Sequence, residues 1–221
     1  GYEVVFARGE GCCGSLKHHM GLELDSKEST RRNVDAWIRE ADAGGLDAII
    51  STASGCGSTI KDYAFILRDD ADYAEKAQRV SALAKDITEF LAEAGGPEVQ
   101  PRNLKVAYHA ACSLQHGQKI TKAPVELLRA AGFQVVAPAE AHLCCGSAGI
   151  YNIVQSEIAG QLRDRKVQNL ERLKPDVIAA GNIGCAVQIA SGAVTPVVHI
   201  VELLDWASGG PAPAALAGKF S

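Results

Sequence analysis

The sequence predicts an α/β protein built from two duplicated halves, each a small parallel sheet flanked by helices. Short apolar segments alternate with longer ones in which apolar residues recur every three to four positions, a pattern typical of parallel sheets covered on both faces. The motif Cys-Cys-Gly-Ser occurs at 12–15 and again at 144–147. A Gly-Cys pair follows each copy, at 55–56 and 184–185. The duplicated unit therefore depends on thiol chemistry.

In the first half, an apolar run predicts a strand at 3–7, and a Gly-rich loop follows it. The helix expected at 27–43 places Val34, Trp37 and Ile38 on one face, and a Gly-Gly pair ends it. The remaining expected segments are a strand at 47–51 and helices at 59–67 and 73–93.

The second half begins after a Gly- and Pro-rich linker at 95–103. Its expected strands are 104–109, 133–137, 176–180 and 197–199, and its expected helices are 123–131, 157–173 and one that ends at Trp206. The tail 209–221 is rich in Gly, Pro and Ala, so we expect it to be loose. We predict domains at 1–94 and 104–208, the first of them truncated at its N-terminus because it lacks a counterpart to the segment around Cys112.

The two halves also align outside their cysteines. The segment 47–50 with Cys56 matches 176–179 with Cys185, and the segment 86–91 matches 199–204. Each predicted cysteine loop therefore has the same relation to a strand in both halves.

Composition excludes several classes of function. The net charge of the 221 residues is −4 without a basic stripe, so no nucleic-acid partner is expected. The sequence holds no apolar run of membrane-spanning length and no signal peptide, and it starts without Met, which we interpret as a fragment. Seven cysteines without an export signal favour reduced thiols in a cytoplasmic protein.

The cysteines of the second half should meet at one place. Cys112, the pair Cys144 and Cys145, and Cys185 each lie just beyond a predicted strand, and the carboxyl ends of parallel strands share one edge of a sheet. Four thiolates there would select zinc or an iron–sulfur cluster. The alternative is that these residues are inert buried thiols.

The first half offers three cysteines, Cys12, Cys13 and Cys56. They could bind zinc with a fourth ligand from water, His18 or His19, or belong to a site whose remaining cysteine lies upstream. A disulfide between the adjacent cysteines is a further alternative, but the small ring that it closes strains the peptide. His109 and His116 flank Cys112. We expect each ring to orient the loop through a hydrogen bond rather than to bind the metal directly, with donation to cluster sulfur as a further alternative. No side chain is positioned as a catalytic general base, so no catalytic residue is assigned.

Several segments together resemble the C-terminal cysteine-rich (CCG) domains of the iron–sulfur subunits of glycolate oxidase (glycolate dehydrogenase). The resemblance covers nearly the whole chain. The matching segments are 11–14, 52–57, 112–116, 142–149, 161–164 and 182–185.

This resemblance implies an oxidoreductase subunit that transfers electrons through an iron–sulfur cluster, expected to be [4Fe-4S]. The substrate, a 2-hydroxy acid, would be oxidised on partner subunits that carry FAD, and a quinone would accept the electrons, with peripheral contact at the inner face of the membrane. Asn182 and Ala53 stand where the fuller family motif has another cysteine, so four ligands are expected in the second half. Two alternatives remain: a thiol–disulfide reductase of the heterodisulfide reductase type, and a docking module held together by zinc.

Overall fold

The computed structural model describes residues 1–96 and 98–219. The chain divides into two compact units, one formed by residues 1–51 and 55–86 and the other by residues 52–54 and the described residues from Ile87 onward. Both units combine helices with parallel strands, which confirms the predicted fold class. None of the described helices is long and apolar enough to cross a membrane.

The first unit contains a two-stranded parallel sheet. Its strands β1 and β2 pair in the register Ile49 with Ala84 and Ser51 with Asp86. Helix α2 packs its apolar face into the core through Val34, Trp37 and Ile38, as the helical spacing predicts. The elements up to β2 are α1 (Ser15–His19), α2 (Glu23–Ala43), β1 (Ile49–Ser51), α3 (Ser54–Lys61), α4 (Tyr63–Ile66), α5 (Ala74–Leu83) and β2 (Ala84–Asp86).

Two predictions for this half were wrong. Residues 3–7 form no strand, and the side chains of Val4 and Phe6 are 78% and 85% exposed. A strand needs a hydrogen-bonded neighbour, and the sheet of this unit pairs β1 with β2 alone. The single helix predicted at 73–93 is interrupted, because Ala84 adopts an extended conformation with ψ at 124° and begins β2.

The second unit is built on a four-stranded parallel sheet in the order β4-β3-β5-β6. Side chains alternate between its faces: Val106 and Tyr108 of β3 join one core cluster, and Ala107 joins the other. The helices and strands are α6 (Ile87–Glu93), β3 (Lys105–His109), α7 (Ala123–Ala130), β4 (Gln134–Val136), α8 (Tyr151–Val154), α9 (Ser156–Glu171), β5 (Val177–Ala180), α10 (Ile183–Ala190), β6 (Val197–His199) and α11 (Ile200–Ala207). A π-helical turn at Ser113–Gly117 and a 3₁₀ turn at Ala214–Leu216 complete the unit.

The boundary between the units lies after Asp86, earlier than the predicted linker at 95–103. Leu91 of α6 and Val99 pack against the core of the second unit, and the Gln100 amide donates a 2.6 Å hydrogen bond to the Ala207 carbonyl oxygen. Apolar burial thus attaches this segment to the second unit. Pro97 of the predicted linker lies outside the described residues.

The C-terminal segment is not loose as far as the structure describes it. Leu216 of the 3₁₀ turn is 1% exposed and belongs to the core cluster that also contains Trp206 and Ala207. The apolar side chain of Leu216 therefore attaches this Gly- and Pro-rich segment to the core of the second unit. The last two residues of the predicted tail, 220–221, lie outside the described residues.

Candidate metal centre

The parallel sheet of the second unit brings four cysteines together. His109 ends β3 and Cys112 follows it, the pair Cys144 and Cys145 lies in the loop after β4, and Cys185 sits in the first turn of α10 after β5. All three connections leave the carboxyl edge of the sheet, where the sequence placed the candidate site. The structure thus assembles all four thiols predicted for this half.

The four thiols form a continuous chain of side-chain hydrogen bonds. Cys112 contacts Cys144, Cys144 contacts Cys145, and Cys145 contacts Cys185. The ligand atoms of His109, Cys145 and Cys185 all lie within 4.8 Å of one another, and these residues are 1%, 1% and 4% exposed. All seven cysteines of the chain are free thiols. The site is therefore a buried group of soft donors.

Hydrogen bonding divides the thiols into donors and acceptors. Hydrogen bonds from Cys112 and Cys145 lower the pKa of Cys144 far below its ordinary value. A hydrogen bond from Cys145, with a smaller contribution from His109, lowers the pKa of Cys185 to about 5. The pKa values of the donors Cys112 and Cys145 are raised in turn, chiefly because deprotonation would lose the hydrogen bond to Cys144, with burial adding to the effect. Two of the four sulfurs are therefore predisposed to be thiolates, the form that binds metals.

Neutral donors outside the cysteines add to this stabilisation. The backbone N–H of Gly146 lies 3.3 Å from the Cys144 Sγ, and the Asn182 side-chain amide lies 3.4 Å from the Cys185 Sγ. Such donors stabilise negative charge on sulfur. Asn182, at the position where the resemblance implies another cysteine, thus contacts the site through its amide.

His109 does not donate the loop-orienting hydrogen bond that the sequence led us to expect. Within the described part of the chain, neither of its ring nitrogens has a partner of normal hydrogen-bond geometry, and the side chain is 1% exposed. The ring nonetheless lies near enough to the Cys185 thiol to lower the pKa of that thiol. An unpaired buried polar group costs roughly 1–3 kcal/mol of stability. A borderline metal held by the neighbouring sulfurs would satisfy one nitrogen, so the residues present fit an iron–sulfur cluster or zinc.

The predicted histidine His116 lies elsewhere. It is an exposed residue of the π-helical turn, and the group of potential ligands found among the described residues contains His109 instead. The first turn after β3 carries Cys112 toward the site and leaves His116 toward solvent.

Gly146 permits the close approach of the cysteine loop to α9. Its φ is +90°, and a Cβ at this position would lie 2.4 Å from the Ala159 carbonyl oxygen. The equivalent Gly14 in the first unit has a φ of +85° and lies against the backbone of Ser26. Both copies of the motif thus need glycine for the left-handed backbone and for the space.

Helix α9 holds the start of the cysteine loop with a polar cluster that the sequence did not reveal. The Lys166 ammonium donates hydrogen bonds to the carbonyl oxygens of Glu140 and Ala141, and Arg165 and Asn169 both contact the Glu140 carboxylate. These contacts lower the pKa of Glu140 to about 2, with Arg165 the largest cause. The spacing of Lys166 from the buried Ala159 and Leu170 is helical, and this spacing is the signal that could have placed Lys166 inward.

The first unit holds a smaller arrangement. Cys13 is buried and donates a hydrogen bond to Cys56, which lowers the pKa of Cys56 to about 7, while Cys12 is exposed. The Tyr63 hydroxyl donates to the Cys13 carbonyl oxygen at 2.9 Å and accepts from the buried Asn33 amide. These contacts fix the backbone of Cys13.

Among the described residues, the three thiols of the first unit do not form a group of ligand atoms within 4.8 Å of one another. His18 and His19, the alternative zinc ligands, are exposed residues of α1. The structure therefore brings Cys13 and Cys56 together and leaves Cys12 and both histidines outside that contact.

The fold and the thiols define a class of protein: an α/β module in which loops at one sheet edge bring cysteines together. The family described as Cysteine-rich domain (CCG) matches residues 1–61 and 106–190. The chain belongs to this family, which confirms the resemblance seen in the sequence.

Two curated relatives match almost all of the chain. The glycolate oxidase iron-sulfur subunit of Escherichia coli (strain K12) is 40% identical over 208 residues, which are 94% of this chain and 51% of that protein. Lactate utilization protein A of Bacillus licheniformis is 30% identical over 213 residues, 93% of this chain and 87% of that protein. The chain thus spans about half the length of the first relative and most of the second.

Proposed function

We propose that this chain is the cluster-binding, electron-transferring part of the iron–sulfur subunit of a complex that oxidises a 2-hydroxy acid such as glycolate. The observation that supports this most is the chain of four hydrogen-bonded thiols at the carboxyl edge of the sheet. The name of the Escherichia coli relative, an iron-sulfur subunit, supports the choice of cofactor.

Cys112, Cys144, Cys145 and Cys185 would hold the cluster, expected to be [4Fe-4S]. A bound cluster would supply one-electron redox chemistry. The protein's own contribution is to bury Cys145 and Cys185, to leave Cys112 and Cys144 half-buried, and to stabilise negative charge on sulfur through the Gly146 amide and the Asn182 side chain.

The oxidation itself would take place on partner subunits that carry FAD. Loss of two electrons and two protons converts the hydroxy acid to an oxo acid, and the electrons would leave the flavin one at a time through this chain. A quinone is the proposed acceptor, since it takes up two electrons and two protons at the membrane surface. Peripheral contact with the inner face of the membrane belongs to the same proposal.

We also propose that the first unit binds zinc through Cys13 and Cys56, with Cys12 as a further ligand. The hydrogen bond from Cys13 to Cys56 supports this, because it prepares one thiolate at neutral pH. Binding would require Cys12 to turn inward from its exposed position.

Anaerobic expression followed by analysis of iron, sulfide and zinc tests both sites. We expect about four irons and four sulfides per chain, with a broad visible absorption that bleaches on reduction, and one zinc. Ser substitutions at Cys12, Cys13 and Cys56 should remove the zinc and leave the iron.

A folded chain that contains zinc alone would favour the docking module. An iron-loaded chain that reduces a small disulfide would favour the reductase.

A further inference from the structure

We propose that a ring nitrogen of His109 binds the metal centre directly, beside the sulfurs of Cys145 and Cys185. This inference rests on the proposed function for the identity of the metal. It assigns to the centre a mixed nitrogen and sulfur ligand set, in which His109 takes the place of one of the two outer sulfurs, Cys112 or Cys144.

The position of His109 is fixed by the sheet. It is the last residue of β3, the strand between β4 and β5, and it pairs with Ala180 at the end of β5. Cys185 follows β5 by five residues, and Cys145 lies in the loop beyond β4. Neighbouring strands therefore hold the ring and the two sulfurs at the same sheet edge.

The ring is close enough to share a ligand with the sulfurs. One of its nitrogens, the Cys145 Sγ and the Cys185 Sγ all lie within 4.8 Å of one another, and this trio is the compact ligand group found in the described residues. Cys112 and Cys144 continue the same chain of contacts outward. A metal bound by Cys145 and Cys185 would consequently lie next to the imidazole.

The polar neighbours of the ring are the sulfurs themselves: it lies within 4.8 Å of the Cys145 and Cys185 Sγ atoms and lowers the pKa of Cys185. Within the described residues both nitrogens lack a hydrogen-bond partner, and the side chain is 1% exposed, so neither solvent nor a carbonyl oxygen satisfies them. A histidine that only orients a loop would donate one N–H to that loop. Imidazole suits the same borderline metals that accept thiolate, so a metal satisfies the nitrogen where the protein does not.

A neutral imidazole among thiolates has a predictable consequence. Each thiolate ligand brings a negative charge that opposes the addition of an electron, and imidazole brings none. Exchange of thiolate for imidazole therefore raises the reduction potential of an iron–sulfur centre. His109 would make this centre easier to reduce than an all-cysteine centre in the same pocket.

Nitrogen hyperfine spectroscopy tests ligation directly. The chain is labelled with ¹⁵N-histidine, loaded with iron and sulfide under anaerobic conditions, and reduced with dithionite. We expect a strongly coupled nitrogen that disappears in His109→Cys and persists in His116→Asn, the exposed histidine that serves as the matched control. A weakly coupled nitrogen, or none, would show that His109 at most donates a hydrogen bond to sulfur, and would overturn the inference.

Two further measurements test the inference if the reduced centre gives no electron paramagnetic resonance signal. The ⁵⁷Fe Mössbauer spectrum should contain a distinct iron site in the wild type that merges with the others in His109→Cys. The midpoint potential should fall in His109→Cys and stay unchanged in His116→Asn. Unchanged spectra and potential in a His109→Cys chain that keeps its iron and its circular dichroism would contradict the assignment.

Failure of the proposed function is distinguishable from failure of this inference. A chain that binds no iron refutes the iron–sulfur function. Loading with zinc alone then still tests the ligand through zinc X-ray absorption. A nitrogen ligand of zinc that is present in the wild type and replaced by sulfur in His109→Cys would support ligation by His109. Identical spectra of the two chains would overturn the inference.

Discussion

The Lys166 ammonium donates a 2.9 Å hydrogen bond to the carbonyl oxygen of Glu140 from a side chain that is 1% exposed. The loop that begins at Glu140 leads directly to Cys144 and Cys145. The charge of Lys166 also interacts favourably with these two sulfurs and with Cys185. One buried cation thus both holds the cysteine loop and offsets the negative charge of the site.

Replacement Lys166→Met should therefore weaken both functions. The carbonyl oxygens of Glu140 and Ala141 lose a charged donor, so we expect the free energy of unfolding of the metal-free chain to fall by about 2 kcal/mol. The midpoint potential of the iron-loaded chain should also fall, because a positive charge near the sulfurs is removed. Urea denaturation and redox titration measure these effects. The exposed Lys122→Met is the control, and equal behaviour of the two variants would contradict the role of Lys166.

Substitution of Gly146 tests the tight backbone of the cysteine motif. An alanine Cβ would lie 2.4 Å from the Ala159 carbonyl oxygen, and the φ of +90° is strained for alanine. We expect Gly146→Ala to lower the free energy of unfolding by about 3 kcal/mol or more and to reduce iron loading. Gly95→Ala is the matched control, since Gly95 has a φ of +88° with nothing within 4 Å. It should cost only about 1 kcal/mol. Equal losses in the two variants would mean that strain alone, without the clash, accounts for the effect.

The duplication predicted more of the fold than the periodicity did. The sequence match of 86–91 to 199–204 pairs the end of β2 and the start of α6 with the end of β6 and the start of α11. Helical spacing across Ala84 and Ile87 nevertheless favoured one continuous helix. The strand β2 is only three residues long, which is too short for a local sequence pattern to indicate it. Its pairing with β1 determines its conformation instead.

The site was predictable to the extent that it depends on topology. Parallel strands bring their carboxyl ends to one edge, and this placed Cys112, Cys145 and Cys185 together before any coordinates. The inward direction of Lys166 and the unpaired ring of His109 depend on side-chain packing. Such packing depends on contacts with residues that are distant in the sequence, so no local sequence pattern predicts it.

Two substitutions in the first unit should shift the pKa of Cys56 in opposite directions. The hydrogen bond from Cys13 lowers this pKa to about 7, against burial and a smaller effect of Cys12, both of which raise it. In the metal-free chain, Cys13→Ala should therefore raise the pKa toward its ordinary value and slow alkylation of Cys56 at pH 7 by about five- to tenfold. Cys12→Ala should lower the pKa and leave alkylation at pH 7 as fast or faster. Iodoacetamide rates between pH 5 and 10, read at Cys56 by peptide mass spectrometry, measure both. Shifts of the same sign in the two variants would refute this account.

Cys145 occupies the central position in the chain of thiols, since its single S–H can be donated to Cys144 or to Cys185. Cys145→Ala removes one proposed ligand. It also removes the hydrogen bonds that lower the pKa values of Cys144 and Cys185, so the two neighbouring sulfurs become poorer ligands. We expect iron affinity to fall by more than about 100-fold, because changes around metal ligands alone cost ~10–100-fold. Iron and sulfide content after anaerobic gel filtration measures this loss. Cys12→Ala, which alters an exposed thiol of the first unit, should retain the iron. Retention of a full iron complement by Cys145→Ala would exclude Cys145 as a ligand and would move the centre toward Cys112 and Cys144.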